Sequence, residues 1–388
     1  MRIFMLVSRV PWPLEKGDKL RAYHQLKCLC ENHEVHLCCL NDAELHPDAI
    51  AQLRLLTPHV HVFRLNRFVM GWRMFRALFS DKPFQVHYFY QSRIHHRIHQ
   101  LIHEIQPDHI YCQLVRTSEY VKNLHGYRKT IDYMDALSAG YKRRITSSRW
   151  WEKPFVREEA KRLMNYEHLI FDYFEHHVII SDQDQQLIFH PERNKIAIIP
   201  NGIDADYFSP SEKTTEYQIV FTGNMSYPPN VDCSVRLVRN ILPLIQKEIP
   251  QVRLLIAGAN PAREVKQLAS DHVVVSGWMD DIRDAYRKSI LFMAPMRTGS
   301  GLQNKLLEAM CMNMACITTP IAANAMKAKH DVNMMIGESD EQIASFAIQL
   351  LRDERKRDEL AREGRSFATS HFNWQQTVNK LTVLFDRQ

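Results

Sequence analysis

No two cysteines of this 388-residue chain stand in a C-x-x-C pair, and no second pair with zinc-ligand spacing follows, so a structural zinc site of the usual kind is excluded. The eight cysteines, at 28, 30, 38, 39, 112, 233, 311 and 316, fall partly inside apolar runs such as Leu37-Cys38-Cys39-Leu40 and Met310-Cys311-Met312. That is the usage of small hydrophobes in a reducing compartment. No apolar stretch approaches the roughly 18 residues of a membrane span. The apolar start Met1–Ser8 is too short for a secretory leader and lacks a small-residue cleavage site, and Arg9 and two prolines interrupt it. It is expected as a first buried strand. These absences predict a cytoplasmic protein that does not span a membrane.

Acidic charge is scarce in one place. The chain holds 50 Lys+Arg against 44 Asp+Glu, a net +6, and the whole excess lies in residues 1–200, with 28 basic groups against 22 acidic ones. Residues 51–100 carry 8 basic groups and a single acid, Asp81, whereas residues 201–388 are balanced at 22 and 22. The apolar share of 45% and charged share of 24% are ordinary for a globular chain and exclude a disordered or fibrous one. At roughly 150 residues per domain, the length suggests two or three domains.

Short runs of Val, Ile and Leu alternate with longer amphipathic segments. Strands are expected at Ile3–Ser8, Val35–Leu40, His61–Leu65, His109–Leu114, Thr130–Met134, His177–Ser181 and Ile196–Ile199, then at Ile219–Thr222, Arg253–Ala257, Val273–Ser276, Ile290–Ala294 and Ala315–Thr318. They are continuously apolar, as strands covered on both faces must be. Helical patterns fit Asp18–Asn32, Ser92–Ile105, Glu158–Phe174, Val231–Ile245, Asp280–Lys288 and Leu302–Met312, and a nearly all-helical tail follows Glu338. The alternation predicts an α/β fold of two doubly wound, Rossmann-like parallel sheets facing a cleft. The turn-rich Pro200-Asn201-Gly202-Ile203-Asp204 puts the boundary near 205: an N-terminal domain 1–204, a C-terminal domain 205–370, and a last helix 371–388 returning toward the first. Ligands of such sheets bind at the carboxyl ends of the strands, which makes the cleft the expected site.

The segment from Ala294 to Met310, Ala-Pro-Met-Arg-Thr-Gly-Ser-Gly-Leu-Gln-Asn-Lys-Leu-Leu-Glu-Ala-Met, carries the most chemistry. A strand ends at Pro295, Gly299 and Gly301 permit close backbone approach, and a helix is expected from Leu302, whose free amides make an anion site. Lys305 and Glu308 are three apart and share a helix face. Arg297 and Lys305 suit a phosphate at the turn, and Glu308 suits a ribose diol; an ordinary capped helix with solvated charges is the plainer alternative.

This segment resembles the donor-nucleotide motif of family 4 retaining glycosyltransferases of the GT-B fold. The loop Val7–Arg21 is similar to that of sugar transferases associated with exopolysaccharide gene clusters. Pro200–Asp204 resembles the family's interdomain segment, and Phe221-Thr222-Gly223-Asn224-Met225 and Ile256–Pro261 its first donor-domain strand ends. The resemblance runs along essentially the whole chain, in order. It implies a nucleotide-diphosphate sugar donor on the C-terminal domain and a glycan or lipid-linked glycan acceptor on the N-terminal one. It assigns the donor to Gly17, Gly223, Asn224, Gly299, Ser300, Gly301, Leu302 and Glu308, with Glu308 on the ribose and Gly17 facing the donor. Two departures bear on this. Ser300 stands where the first of the family's paired glutamates, eight positions before Glu308, would contact the sugar. The basic pair that often follows the first donor-domain strand is absent from Asn224–Pro229, which leaves Arg297 and Lys305 to balance the leaving diphosphate.

Asp135, just beyond the apolar Thr130–Met134, is the expected acceptor-side catalytic group, with a helix N-cap as its plainer reading. The resemblance implies a front-face retaining reaction without cofactor or catalytic metal. His99 and His103, at i and i+4, lack a third ligand, and a solvated helix face accounts for them. Residues 64–79 mix four arginines with large aromatics, Arg73 and Arg76 lying opposite much of the aromatic surface of a helix from Phe68, and residues 143–151 repeat the character. Both suit an anionic membrane surface, the alternative being internal packing. Nucleic acid has no recognisable motif here. Two further functions share the fold: a nucleotide-sugar epimerase, and a silent subunit that binds nucleotide sugar. The absence of a G-x-G-x-x-G after the first strand argues against an NAD enzyme.

Overall fold

The computed structural model describes residues 1–386 apart from 15, 213 and 299–301, together with all side chains of the described segments except that of Ser147. The chain divides into two compact units, Met1–Pro200 with Trp374–Gln388, and Asn201–Asn373. The first division thus falls inside the turn-rich segment rather than after it, and the second falls just before Trp374.

The first unit holds seven parallel strands: β1 (Arg2–Val7), β2 (Glu34–Asn41), β3 (Val60–Arg64), β4 (His109–Gln113), β5 (Arg128–Met134), β6 (His176–Ile179) and β7 (Ala197–Ile198). Their order is β3-β2-β1-β4-β5-β6-β7, with Ile3 level with both Val35 and His109. Successive side chains of a strand face opposite ways, and both faces here are apolar. Phe4, Leu6, Cys38, Leu40, Ile110 and Cys112 enter one core, and Ile3, Met5, Val7, Leu37, Cys39 and Tyr111 enter the other. That explains the unbroken apolar runs. On the first face lies Ser92–Ile105, which buries Ile94, Ile98, Ile102 and Ile105, with His95 and His99 half-buried and His96 and His103 exposed. Over the second lie Gly17–Leu29 and the last helix, Trp374–Asp386. Trp374 stacks on His24 at 4.9 Å and Phe385 on His109 at 4.2 Å, which ties the chain's end to this unit.

The second unit repeats the plan with β8 (Tyr217–Thr222), β9 (Leu254–Ala257), β10 (Val273–Gly277), β11 (Ser289–Ala294), β12 (Ala315–Thr318) and β13 (Met335–Ile336). All are parallel, in the order β10-β9-β8-β11-β12-β13. In both sheets the first strand is central and the winding reverses beside it, between β1 and β4 and between β8 and β11. Those reversals are where loops diverge and leave room for a ligand.

Two local expectations are corrected, and one strand had no counterpart among the expected ones. The helix expected from Leu302 begins at Asn304, with Gln303 as N-cap, so Leu302 precedes it. The helix expected over Val231–Ile245 is interrupted: Pro228–Arg236 passes into a wide turn, Leu237–Ile241, before Leu242–Gln246. Pro243 has no amide to donate to the preceding turn, and a wider register accommodates it. β13 has only two residues, too few for a sequence signal.

Candidate functional site

In the second unit the segments that follow β8 and β9 approach each other and the start of the helix Asn304–Cys311. β8 ends at Thr222, and Gly223 follows with φ +153°. A Cβ at Gly258, which has φ +135°, would lie 1.9 Å from the Gly223 carbonyl oxygen, so the ends of β8 and β9 pass backbone against backbone and only glycine fits. Asn224 uses its side chain locally, its Oδ1 accepting from the Ser226 amide at 3.0 Å and hydroxyl at 2.8 Å. Its carbonyl accepts from Asn230 Nδ2 at 2.9 Å, and Asn230 Oδ1 in turn accepts a short hydrogen bond from Lys305 Nζ. Asn230 therefore couples the β8 loop to the first turn of Asn304–Cys311.

Lys305 lies over the Phe221 ring at 5.1 Å, and burial pulls its ammonium down to about 8. Glu308, one turn on, is half-buried. Burial pushes its carboxyl up, opposed by the hydrogen bond from Tyr286 and by Lys305. The Tyr286 hydroxyl donates to Glu308 Oε2 at 2.7 Å and lies 2.9 Å from Thr222 Oγ1.

Arg297, about half exposed, pairs with Asp340 at 3.5 Å. Asp340 is itself fixed by Arg236 Nε at 2.6 Å and Asn240 Nδ2 at 2.9 Å, and Arg236 Nη1 donates to the Pro295 carbonyl at 2.8 Å. The buried Arg236 thus braces the chain just ahead of Arg297. Gly299, Ser300 and Gly301 lie outside the described residues; Arg297 and Lys305 flank them, and Leu302 is half-buried against the unit's core. Asn230, Arg236 and Tyr286 carry no motif in the sequence. The one available signal was a tyrosine and an arginine within apolar helical patterns.

In the first unit Gly17 opens Gly17–Leu29, and a Cβ there meets nothing within 4 Å. Asp135 is exposed just past β5, with Ala136 rather than Asp135 at the N-cap of Leu137–Ser147. Desolvation by the surrounding protein, with Asp184 and Asp132, pushes its carboxyl up to about 7 against Arg21 and Arg143, and solvent screens these interactions at an exposed site. Asp132, which the sequence reading passed over, is fully buried and holds Arg21 Nε at 2.6 Å and the Tyr111 hydroxyl at 2.5 Å. Where β1, β2 and β4 end, Arg9 pairs with Asp18 at 2.8 Å and lies 3.9 Å from Asp42, while Arg116 lies 4.0 Å from Asp18.

Among the described residues the histidines at 99 and 103 gather no ligand set: His99 Nε2 bonds the Tyr120 carbonyl at 2.9 Å and its ring packs tilted against His95. Among the described residues one trio, Glu34, His36 and His59, has metal-ligand proximity. It lies where β2 starts, away from the carboxyl strand ends. In the Asp-x-Asp spacings at 182–184 and 204–206, Asp184 accepts from the hydroxyl of Ser181, the N-cap of Asp182–Leu187, at 2.6 Å, and Asp204 accepts from the Tyr207 amide at 3.0 Å.

The aromatics of 64–79 do not pack inward. Arg67–Ala77 is capped by Asn66, whose Oδ1 accepts from the Phe68 and Val69 amides, and it buries only Met70 and Ala77. Phe68 is 91% exposed, Phe79 80% and Trp72 61%. Arg73 turns back to the body, 4.4 Å from the Tyr90 ring and 3.0 Å from Ser92 Oγ. Trp150 and Trp151 are also exposed, and Phe155 stacks on Phe84 at 4.3 Å. Among the described residues no helix is long and apolar enough to cross a membrane.

Known proteins fit this arrangement. Residues 216–353 match the family model for glycosyl transferases group 1. A 44.6 kDa protein in the cps region of Klebsiella pneumoniae is 21% identical over 98% of both chains. A phosphatidyl-myo-inositol mannosyltransferase of Mycobacterium tuberculosis is 27% identical over 32% of this chain and 35% of its own. Two solved structures share the architecture at 13% identity and a TM-score of 0.69. They are the sucrose-phosphate synthase of Thermosynechococcus elongatus, covering 99% of this chain and 98% of its own, and Anabaena Alr3699/HepE in complex with UDP and glucose, covering 100% of both. Residues 216–353 therefore form a group 1 glycosyltransferase domain, carried by a chain with the two-sheet fold of the GT-B glycosyltransferases.

Proposed function

We propose that the chain transfers a sugar, with retention of configuration, from a nucleotide-diphosphate sugar to a hydroxyl of a glycan or lipid-linked glycan in cell-surface or exopolysaccharide synthesis. The observation that carries the donor half is the placing of Lys305 and Glu308 on one face of the helix after β11, at the sheet's winding reversal. Glu308 is an acceptor for a ribose diol, held by Tyr286. Lys305 and Arg297 supply positive charge beside 299–301, where the diphosphate sits. The relative in a cps region supports a surface-glycan role, and the UDP and glucose bound to Alr3699/HepE support a donor of that kind.

In the reaction the acceptor oxygen forms a bond to the anomeric carbon as the bond from that carbon to the phosphate oxygen breaks. The acceptor proton passes to the departing phosphate. Lys305 and Arg297 stabilise the charge that develops there, each by about 2–4 kcal/mol where aimed at it. Asp135 is placed with the acceptor, and no catalytic metal or cofactor takes part. The outward aromatic face of Arg67–Ala77, with Trp150 and Trp151, rests on an anionic membrane that carries the acceptor. Slow hydrolysis across a panel of nucleotide sugars tests the reading without knowledge of the acceptor; a wild-type protein that neither binds nor hydrolyses any of them contradicts it.

A further inference from the structure

At the winding reversal of the first sheet lies a buried cation, Arg116, whose Nε has no hydrogen-bond partner among the described residues. Arg116 follows β4 by three residues, just after Leu114, whose φ of +67° is unusual for a residue with a branched side chain. Such strain persists where the surroundings hold it and collects at ligand sites. The Arg116 side chain is buried, only 10% exposed. Among the described residues its Nε has no hydrogen-bond partner, and its nearest carboxylate oxygen, of Asp18, is 4.0 Å from Nη2. Asp18 is already committed to Arg9 at 2.8 Å. Phe89 lies beneath both guanidiniums, 5.1 Å from Arg116 and 5.8 Å from Arg9. Burial and the neighbouring Arg9 pull Arg116 down to about 10, so it keeps its charge at neutral pH in surroundings that disfavour it.

A buried guanidinium without hydrogen bonds is costly, and native proteins retain such a group where something else completes it. The fork of an arginine matches the two oxygens of a planar or tetrahedral anion. We propose that the first unit takes an acceptor bearing an anionic group, a phosphate or a carboxylate, and that Arg116 binds it on the Phe89 platform with Arg9 beside it. The inference rests on the reading of this unit as the acceptor half, and it narrows the acceptor from any hydroxyl compound to an acidic one. Phosphate on a glycan or lipid carrier and the carboxylate of an acidic sugar share this chemistry.

Calorimetric titration of the full chain with inorganic phosphate and, separately, with glucuronate tests it, with Arg116→Gln measured beside the wild type. The expected result is that the wild type binds one of the two and that the variant loses at least about tenfold in affinity for it, the loss expected for a charge-assisted pair. The anion affected distinguishes phosphate from carboxylate. The variant's melting temperature is the second readout: loss of a buried guanidinium whose Nε has no partner among the described residues leaves it unchanged or raised. Equal affinity in wild type and variant overturns the proposal, as does a wild type that binds neither anion. A clearly lowered melting temperature also overturns it, because Arg116 is then a structural group. Nucleotide-sugar binding is measured on the wild type alone, so failure of the glycosyltransferase reading and failure of this one are told apart.

Discussion

The Tyr286 hydroxyl stands 2.7 Å from Glu308 Oε2 and 2.9 Å from Thr222 Oγ1, so a single phenol joins the end of β8 to the carboxylate on Asn304–Cys311. Without that donor, only Lys305 opposes the effect of burial on Glu308, and its ionised form becomes harder to keep. Tyr286→Phe is expected to weaken nucleoside diphosphate binding by about 1 kcal/mol, the net worth of one such hydrogen bond. Calorimetry measures it, and unchanged affinity with an unchanged fold argues that Glu308 is not the ribose contact.

Lys305 gives the pH dependence. Its ammonium titrates at about 8 in the folded protein, below the ordinary lysine value of 10.5. Below about 8 it is charged in both folded and unfolded chains. Between about 8 and 10.5 the unfolded chain binds more protons, so this group makes the free protein more stable as pH rises through that window. A bound diphosphate favours the charged form and draws the group back up. Donor affinity is therefore expected to fall as pH rises past about 8, with proton uptake on binding in that range. Calorimetry in buffers of different ionisation enthalpy reads the uptake, and none at pH 8.5 to 9 removes Lys305 from the diphosphate site.

Two glycines separate structural from functional need. Gly258→Ala puts a Cβ 1.9 Å from the Gly223 oxygen at φ +135° and is expected to cost on the order of 3 kcal/mol or more, seen as a lowered melting temperature. Gly17→Ala meets nothing within 4 Å and is expected to leave the melting temperature unchanged or slightly raised. Loss of donor hydrolysis in a Gly17→Ala protein of normal stability then identifies a position that must stay bare for the ligand.

The exposed aromatic face is tested with vesicles. Phe68, Trp72 and Phe79 touch solvent over most of their surface, so changing all three to Ser costs the fold little. Each buried ring is worth roughly 1.5–3 kcal/mol in an apolar setting. Co-sedimentation with anionic vesicles is expected for the wild type at low salt and to be lost in the triple variant. Wild-type protein that stays in the supernatant contradicts the membrane reading.

Much of the fold was legible because it rests on short-range pattern. Residues such as Ile3–Val7 must be apolar on both faces of a covered strand, and that shows as a continuous run. Trp374 and Phe385 of the last helix stack on His24 and His109 of the first unit, contacts that no local pattern shows. What stayed hidden depends on residues far apart in sequence. Asn230 meets Lys305 across 75 positions and Arg236 meets Asp340 across 104, and neither spacing leaves a local signal. Asp135 attracted notice by ending an apolar run, whereas Asp132 lies inside that run, where its charge is met by Arg21 from the helix Gly17–Leu29. Periodicity could not decide which side of Arg67–Ala77 faces outward, because aromatic residues suit a core and a lipid surface equally.

Glu308 is the most direct test of the central claim that the second unit binds a nucleotide-diphosphate sugar. Wild type and Glu308→Gln are titrated with nucleoside diphosphates by calorimetry, each protein's melting temperature serving as the control for folding. The account predicts that the wild type binds at least one nucleotide and that Glu308→Gln loses about 1.5–3 kcal/mol, or roughly ten- to a hundredfold, because a charged acceptor to the ribose is gone. Equal affinity in two equally stable proteins contradicts it.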